Sequence, residues 1–146
     1  MPTYTGLHLF VMCHGFQGNS LDLRMFKNNI SIALPDALFL LSESNQADTE
    51  GDILTMGYQL AQEVQQYVRE NCPGTQLARM TFIGYSMGGL IVRAALPYLD
   101  KFKDKMHGFL SICSPHLGFM YSHKSSKLFS TGMWVLKKFK KSVSLD

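Results

Sequence analysis

Four short apolar runs, separated by segments with helical spacing, constrain the fold of this chain more than any other feature. The runs are nearly continuous rather than alternating, and they cover residues 7–13, 37–41, 80–85 and 108–113. Runs of this kind are typical of strands in a parallel sheet that is covered on both faces. The sequence therefore predicts four buried parallel strands.

The clearest helical segment lies between the second and third runs. Its apolar residues fall on one stripe, at Ile53, Met56, Leu60, Val64, Tyr67 and Val68. The opposite, polar face is expected to carry Gln59, Gln62, Glu63 and Gln66. Asp52 is a candidate N-cap for this helix.

Two further helices are expected, one over about residues 21–32 and one that begins just after Ser86 and ends or kinks at Pro97. The apolar residues that we expect the last helix to turn inward are Leu90, Ile91, Ala94, Ala95 and Leu96. Alternating strands and helices predict an α/β fold with a mostly parallel sheet and helices on both faces. At 146 residues, the chain is expected to form a single domain over 1–146.

The positive charge is concentrated near the C-terminus. Residues 1–113 hold eight Lys and Arg against ten Asp and Glu, whereas residues 114–146 hold six Lys and one acid, Asp146. This segment either contacts an anionic membrane at its surface or presents a solvated helical face. With no long apolar span and no signal-peptide pattern, we expect a cytoplasmic protein, with peripheral membrane attachment left open.

Several other classes of function find no support in the sequence. The five histidines show neither H-E-x-x-H nor Cys/His ligand spacing, and no phosphate-binding glycine motif follows a strand. Three cysteines without C-x-x-C spacing argue against a disulfide framework. We therefore expect no metal, no cofactor and no nucleic-acid partner.

Residues 84–88 form a G-x-S-x-G pentapeptide that follows the third predicted strand and opens a helix. This is the context of a nucleophile elbow, in which a serine on a sharp turn between strand and helix attacks the substrate. The backbone is strained there, so Gly84 and Gly88 are expected to leave room around Ser86. The alternative is a glycine-rich turn that is purely structural.

A second motif, H-G-F-Q-G-N at residues 14–19, follows the first strand and therefore lies at the same edge of the sheet. In serine hydrolases such a loop, here His14 and Gly15, supplies one oxyanion-hole N–H, and the residue after the nucleophile supplies the other. The expected donors are Phe16 and Met87. His14 either braces this loop by hydrogen bonding or, less favoured, acts as the catalytic base.

With these motifs, the chain resembles the lipase-like serine esterase family of eukaryotes, within the α/β-hydrolase superfamily. The matching segments are residues 14–24, 42–45 with 48–49, 82–90 and 114–118. The resemblance implies a partial α/β-hydrolase fold and hydrolysis of a carboxylic ester, with lipid or acyl esters as the expected substrates and Ser86 as nucleophile. Tyr85 stands where this family more often has histidine.

The rest of a catalytic triad is not identified. In α/β-hydrolases an acid and then a histidine follow the nucleophile, but Asp100 and Asp104 look like surface residues and nothing follows Asp146. His107, His116 and His123 precede any suitably placed acid. We therefore expect a truncated domain that is inactive alone.

Two alternatives to ester hydrolysis, and two structures for one segment, remain open. The chain could be a catalytically inactive fragment or isoform that binds lipid or a protein partner, or it could transfer an acyl group to an acceptor other than water. Residues 128–141 could form an amphipathic lid helix or a helix that packs on a core.

Overall fold

A computed structural model of the protein describes residues 6–47, 49, 51–74 and 76–117. Its strands are β1 (Leu7–Cys13), β2 (Leu38–Leu41), β3 (Leu77–Tyr85) and β4 (Met106–Ile112). They form one sheet in the order β2-β1-β3-β4, and every neighbouring pair is parallel. The predicted α/β class with a parallel sheet is confirmed.

The helices are α1 (Arg24–Ala33), α2 (Ile53–Asn71) and α3 (Gly88–Ala95). A 3-10 turn, Ser20–Leu23, leads into α1, and a 3-10 segment, Leu96–Lys105, follows α3. Pro97 lies in the first turn of that segment, so α3 ends before the proline, as its missing N–H and fixed ring require.

Helices lie on both faces of the sheet, as the sequence predicts. Alternate side chains of β1 point to opposite faces, so Leu9 and Val11 pack with α2 and α3, whereas Phe10 and Met12 pack with Leu23. The first cluster is much the larger of the two. The face that carries α2 and α3 therefore holds most of the core among the described residues.

The predicted orientation of α2 is correct except at Glu63. Asp52 caps the helix by accepting a hydrogen bond from the Thr55 amide at 3.0 Å. Glu63 is half-buried, and its carboxylate accepts hydrogen bonds from the Ser42 hydroxyl at 2.6 Å and from the Glu43 amide at 2.8 Å. The loop after β2 runs beside α2, and its buried polar groups need an acceptor there.

The predicted inward face of α3 is partly wrong. Ile91, Val92 and Ala95 are the buried apolar side chains, whereas Leu90 and Ala94 are only half-buried. The reason is that α3 contacts α2 as well as the sheet: a Cβ added at Gly57 of α2 would lie 2.6 Å from the Ala94 Cβ. The helix is therefore rotated relative to the simple sheet-facing stripe.

Among the described residues, no helix combines the length and apolar character needed to cross a bilayer. The chain's contacts divide after His116, and of the second unit only Leu117 is described. The predictions about the lysines of the C-terminal segment, residues 128–141 and His123 concern residues outside the described part. The single domain over 1–146 therefore stays a prediction.

His8 on β1 gives the fold a predicted pH dependence. Its Nε2 lies 2.8 Å from the Thr81 Oγ1, and burial, Arg79 and His107 together lower the pKa of His8 from 6.5 to about 4. Because the unfolded chain then binds a proton more readily between those pH values, the folded state is expected to lose stability as pH falls from about 6.5 towards 4.

The measurement is urea unfolding at several pH values, for the wild type and for His8→Phe. The substitution keeps a ring beside Phe10, whose ring centroid lies 4.2 Å away, but removes the titration. We expect a shallower fall in unfolding midpoint for the variant. Equal falls in both proteins, or an NMR titration of His8 near 6.5, would contradict the assignment.

Candidate active site

Ser86 lies on the turn between β3, which ends at Tyr85, and α3, which begins at Gly88. Its φ is 53°, in the left-handed region, and its amide donates to the Ile112 carbonyl at 2.8 Å. For a residue other than glycine this backbone costs about 1–2 kcal/mol, and such strain concentrates at functional sites. The turn places Ser86 at the carboxyl edge of the parallel sheet.

The glycines on either side of Ser86 allow backbone segments to approach each other closely. A Cβ at Gly84 would lie 2.5 Å from the Cα and N of Gly89, across the turn. A Cβ at Gly88 would overlap the carbonyl oxygens of Cys13 and His14, at the end of β1. The start of α3 therefore rests directly on the loop that follows β1.

That loop also contacts the serine. A Cβ at Gly15 would lie 2.8 Å from the Ser86 Cβ and 3.2 Å from its Oγ. The structure thus brings Gly15, and with it the start of the H-G-F-Q-G-N motif, against Ser86. Met87 follows Ser86 in sequence, and Phe16 follows Gly15, the residue that packs against Ser86. Their roles stay predictions.

His14 is buried and is not hydrogen-bonded to Ser86. Its Nδ1 lies 3.1 Å from the Gly15 carbonyl oxygen, and since a carbonyl can only accept, Nδ1 carries the hydrogen. The Nε2 is buried without a hydrogen-bond partner among the described residues. His14 therefore contacts its own loop rather than the serine hydroxyl.

His116 is hydrogen-bonded to residues other than Ser86. Arg93 Nη1 donates to its Nδ1 at 3.2 Å, because a guanidinium can only donate, so Nε2 carries the hydrogen and donates to the Ser111 Oγ at 2.6 Å. These bonds join the loop after β4 to α3. No motif predicts the partners of His116, since Arg93 and Ser111 lie 23 and five residues away from it.

The acidic residues after Ser86 in the described part do not complete a triad. Asp100 and Asp104 lie exposed in the 3-10 segment after α3, and Asp104 pairs with Lys105 at 3.2 Å. Within residues 6–117, as far as the structure describes them, no histidine is hydrogen-bonded to a carboxylate. The same residues contain no cluster of His, Cys, Asp and Glu that could hold a metal ion.

Cys13 lies at the end of β1, next to the site, but cannot compete as a nucleophile. Burial, and to a smaller extent the charge of Glu63, raises the pKa of its thiol to about 12. The thiolate is the reactive form of cysteine, so this side chain remains a protonated, inert part of the core near neutral pH.

Thr49 contacts the loop that follows β1, although no sequence motif assigns it to the site. Its Oγ1 accepts a hydrogen bond from the Gln17 amide at 2.8 Å, across 32 residues of sequence. A contact of this kind leaves no periodic or motif signal in the sequence. The only hint was that Thr49 belongs to a segment shared with the resembling family.

Comparison with known proteins now adds to this geometry. A family model described as "Putative serine esterase (DUF676)" matches residues 3–146. The chain belongs to this serine esterase family. The resemblance seen in the sequence is therefore confirmed, and the match spans nearly all of the chain.

One relative of this chain is a Saccharomyces cerevisiae protein named "Putative lipase YDL109C". The two are 28% identical over 142 residues, which cover 88% of this chain and 21% of the yeast protein. Among solved structures, Bacillus licheniformis lipase BlEst2 in its mature form matches with a TM-score of 0.54 and 18% identity, covering 80% of this chain and 43% of the lipase.

The structural match supports the fold, and the partial α/β-hydrolase fold that the sequence predicts is confirmed. The chain spans about a fifth of the yeast relative and less than half of the bacterial lipase.

Proposed function

We propose that this esterase chain carries the nucleophile and oxyanion-binding elements of a hydrolase acting on carboxylic esters, with lipid or acyl esters as its substrate class. The observation that carries the proposal is the left-handed Ser86 at the end of β3, with Gly15 of the neighbouring loop packed against it. A strained serine at the carboxyl edge of a parallel sheet is the arrangement of an α/β-hydrolase nucleophile.

In this mechanism the Ser86 Oγ attacks the ester carbonyl carbon, and the bond to the alcohol then breaks to leave an acyl-enzyme. The amides of Phe16 and Met87 stabilise the negative charge on the carbonyl oxygen as it develops. Water attacks the acyl-enzyme in a second step. A base takes the Ser86 proton and passes it to the departing alcohol, and attack by water releases the carboxylic acid and restores the Ser86 hydroxyl. No described histidine is hydrogen-bonded to a carboxylate as in a triad.

Ser86 of the 146-residue chain is expected to react slowly with a fluorophosphonate. The pH dependence of the labelling rate tests whether a positioned base is missing. Without a positioned base, Ser86 loses its proton to solvent, so the rate of fluorophosphonate labelling is expected to rise about tenfold per pH unit from about pH 6 to 9. A histidine base with a pKa near its ordinary value of about 6.5 would make the rate level off above about pH 7.

The labelling is followed by intact-mass spectrometry, with Ser86→Ala measured in parallel to remove background reaction. A plateau above about pH 7 would show that a histidine of this chain acts as the base. Single substitutions of His14, His107, His116 and His123 would then identify it.

Two finer expectations remain predictions. Peripheral membrane contact through the lysines of residues 124–141 rests on charge alone. A cytoplasmic location rests on the sequence patterns described above.

A further inference from the structure

The loop that contacts Ser86 contains a turn with an unusual backbone. The Gly18 amide donates to the Gly15 carbonyl at 3.0 Å, so Phe16 and Gln17 are the two central residues. Gln17 has φ of 53°, whereas Phe16 does not have a positive φ. This combination marks a type II turn, in which glycine is the usual third residue. This conformation is energetically unfavourable for glutamine.

Type I and type II turns differ mainly in the rotation of the peptide between the two central residues. Here that peptide joins Phe16 to Gln17, and its N–H is the group that donates to the Thr49 hydroxyl at 2.8 Å. In a type I turn Gln17 would take the negative φ that it prefers, and its N–H would turn away. The Thr49 hydroxyl therefore favours the strained form of the turn.

The segment that leads to Thr49 is held by the sheet and by α2. Thr49 is 7% exposed, and it lies in the segment after β2. That segment starts with Ser42, whose amide donates to the Met12 carbonyl at 2.8 Å and whose hydroxyl donates to Glu63 of α2. Further along, Asn45 donates to the Met56 carbonyl at 3.1 Å. The sheet and α2 thus hold this segment at Ser42 and Asn45, and Thr49 follows four residues after Asn45.

We propose that Thr49 is a positioning residue for the oxyanion loop: its hydroxyl holds the Phe16–Gln17 peptide in the type II orientation, and the turn fixed in this way sets the position of the preceding Gly15–Phe16 peptide, whose N–H faces the reacting ester. This inference rests on the proposed function of Ser86 and Phe16. Thr49 itself does not touch the substrate. When its hydroxyl is removed, the turn relaxes, and the segment from Gly15 onward moves relative to Ser86.

The test compares Thr49→Val, which keeps the shape of the side chain but removes the acceptor, with Thr49→Ser, which keeps the hydroxyl. The readout is the rate at which a fluorophosphonate labels Ser86 in the 146-residue chain, because the phosphoryl oxygen of this probe occupies the oxyanion site. Losing one oxyanion donor outright costs about 100-fold to 1,000-fold, so misplacing it through Thr49→Val is expected to slow labelling by about tenfold or more. Thr49→Ser is expected to stay within about threefold of wild type.

Thr81→Val is the matched control. It also removes a hydroxyl that is hydrogen-bonded, at 2.8 Å to His8, but it lies in the middle of β3. We expect labelling at the wild-type rate. Amide hydrogen exchange gives a second readout that needs no reactivity: the Gln17 amide should exchange faster in Thr49→Val than in wild type, while the amides of β1 and β3 keep their protection.

Gln17→Gly keeps the proposal testable if Thr49→Val is unstable. Glycine adopts positive φ without cost, so adding Gln17→Gly to Thr49→Val is expected to restore part of the labelling rate. Because relief of this strain can also raise overall stability, the urea unfolding midpoints of the variants are compared: a labelling rate restored at an unchanged midpoint supports the role of Thr49, whereas a rate that only follows the midpoint overturns it.

The outcomes separate the two proposals. If wild-type Ser86 is not labelled at all, the proposed function fails and this inference fails with it. If Ser86 is labelled equally fast in wild type and in Thr49→Val, or if Gln17 exchanges equally slowly in both, only the role of Thr49 is overturned.

Discussion

Replacing Ser86 with alanine is expected to abolish both fluorophosphonate labelling and ester hydrolysis, reducing each to the uncatalysed background. The hydroxyl is the atom that forms the bond to the substrate, and in serine hydrolases with a complete triad its loss costs on the order of a millionfold. In this chain the observed loss is limited by the slow starting rate. The substitution removes one half-buried oxygen at the edge of the sheet, so the free energy of unfolding should change by less than about 1 kcal/mol.

Ser31→Ala provides the matched control for this experiment. Ser31 lies on α1, and its hydroxyl donates to the Asn28 carbonyl at 2.8 Å within the same helix. It should react like the wild type. Hydrolysis that survives in Ser86→Ala, at a rate above background and with the fold intact, would exclude Ser86 as the nucleophile.

Gly88→Ala is expected to lower the free energy of unfolding more than Ser86→Ala or Gly108→Ala. The new Cβ would overlap the carbonyl oxygens of Cys13 and His14, and backbone atoms cannot turn aside as a flexible side chain can. Inserting a methyl group into a packed site of this kind typically costs about 1–3 kcal/mol, and we expect the upper end of that range or more. Labelling of Ser86 should fall as α3 and the loop after β1 separate.

Gly108→Ala is the control for backbone entropy and added volume. Gly108 lies in β4, and a Cβ there would meet only the Thr81 side chain, at an ordinary distance of 3.6 Å. We expect an unfolding midpoint in urea close to wild type. A Gly88→Ala protein as stable as Gly108→Ala would mean that the elbow does not rest on the end of β1 as described.

The strands could be predicted because each apolar run is local and long enough to be recognised. Their ends could not, since β3 begins at Leu77 and β4 at Met106, before the apolar runs that marked them. Pairing in a sheet extends a strand wherever a neighbour offers hydrogen bonds: Leu7 pairs with Leu77, and Met80 with Met106. Periodicity within one segment carries no information about that neighbour.

The misassigned residues fail for the same physical reason. Glu63 lies on the polar side of α2 by its spacing, yet it accepts two hydrogen bonds from a loop some 20 residues away. The inward face of α3 depends on Gly57 of another helix. Helical spacing predicts how a helix meets one flat surface, and it does not predict a second contact.

The candidate site divides along the same line. Ser86, its two glycines and Gly15 belong to short motifs, because the turn and the close approach require those residue types at fixed spacing. Thr49 acts on Gln17 across 32 residues, and Arg93 acts on His116 across 23. Such partners are brought together only by the fold, so they were found in the structure and not in the sequence.

The most direct test of Ser86 as the nucleophile is the position of the fluorophosphonate adduct. After reaction of the folded chain with a fluorophosphonate, trypsin should release residues 80–93 as one peptide, in which Ser86 is the only serine. If Ser86 is the nucleophile, the adduct lies on this serine and forms in the folded chain but not in urea. An adduct on other serines, or equal labelling of Ser86 in folded and unfolded chains, would contradict it.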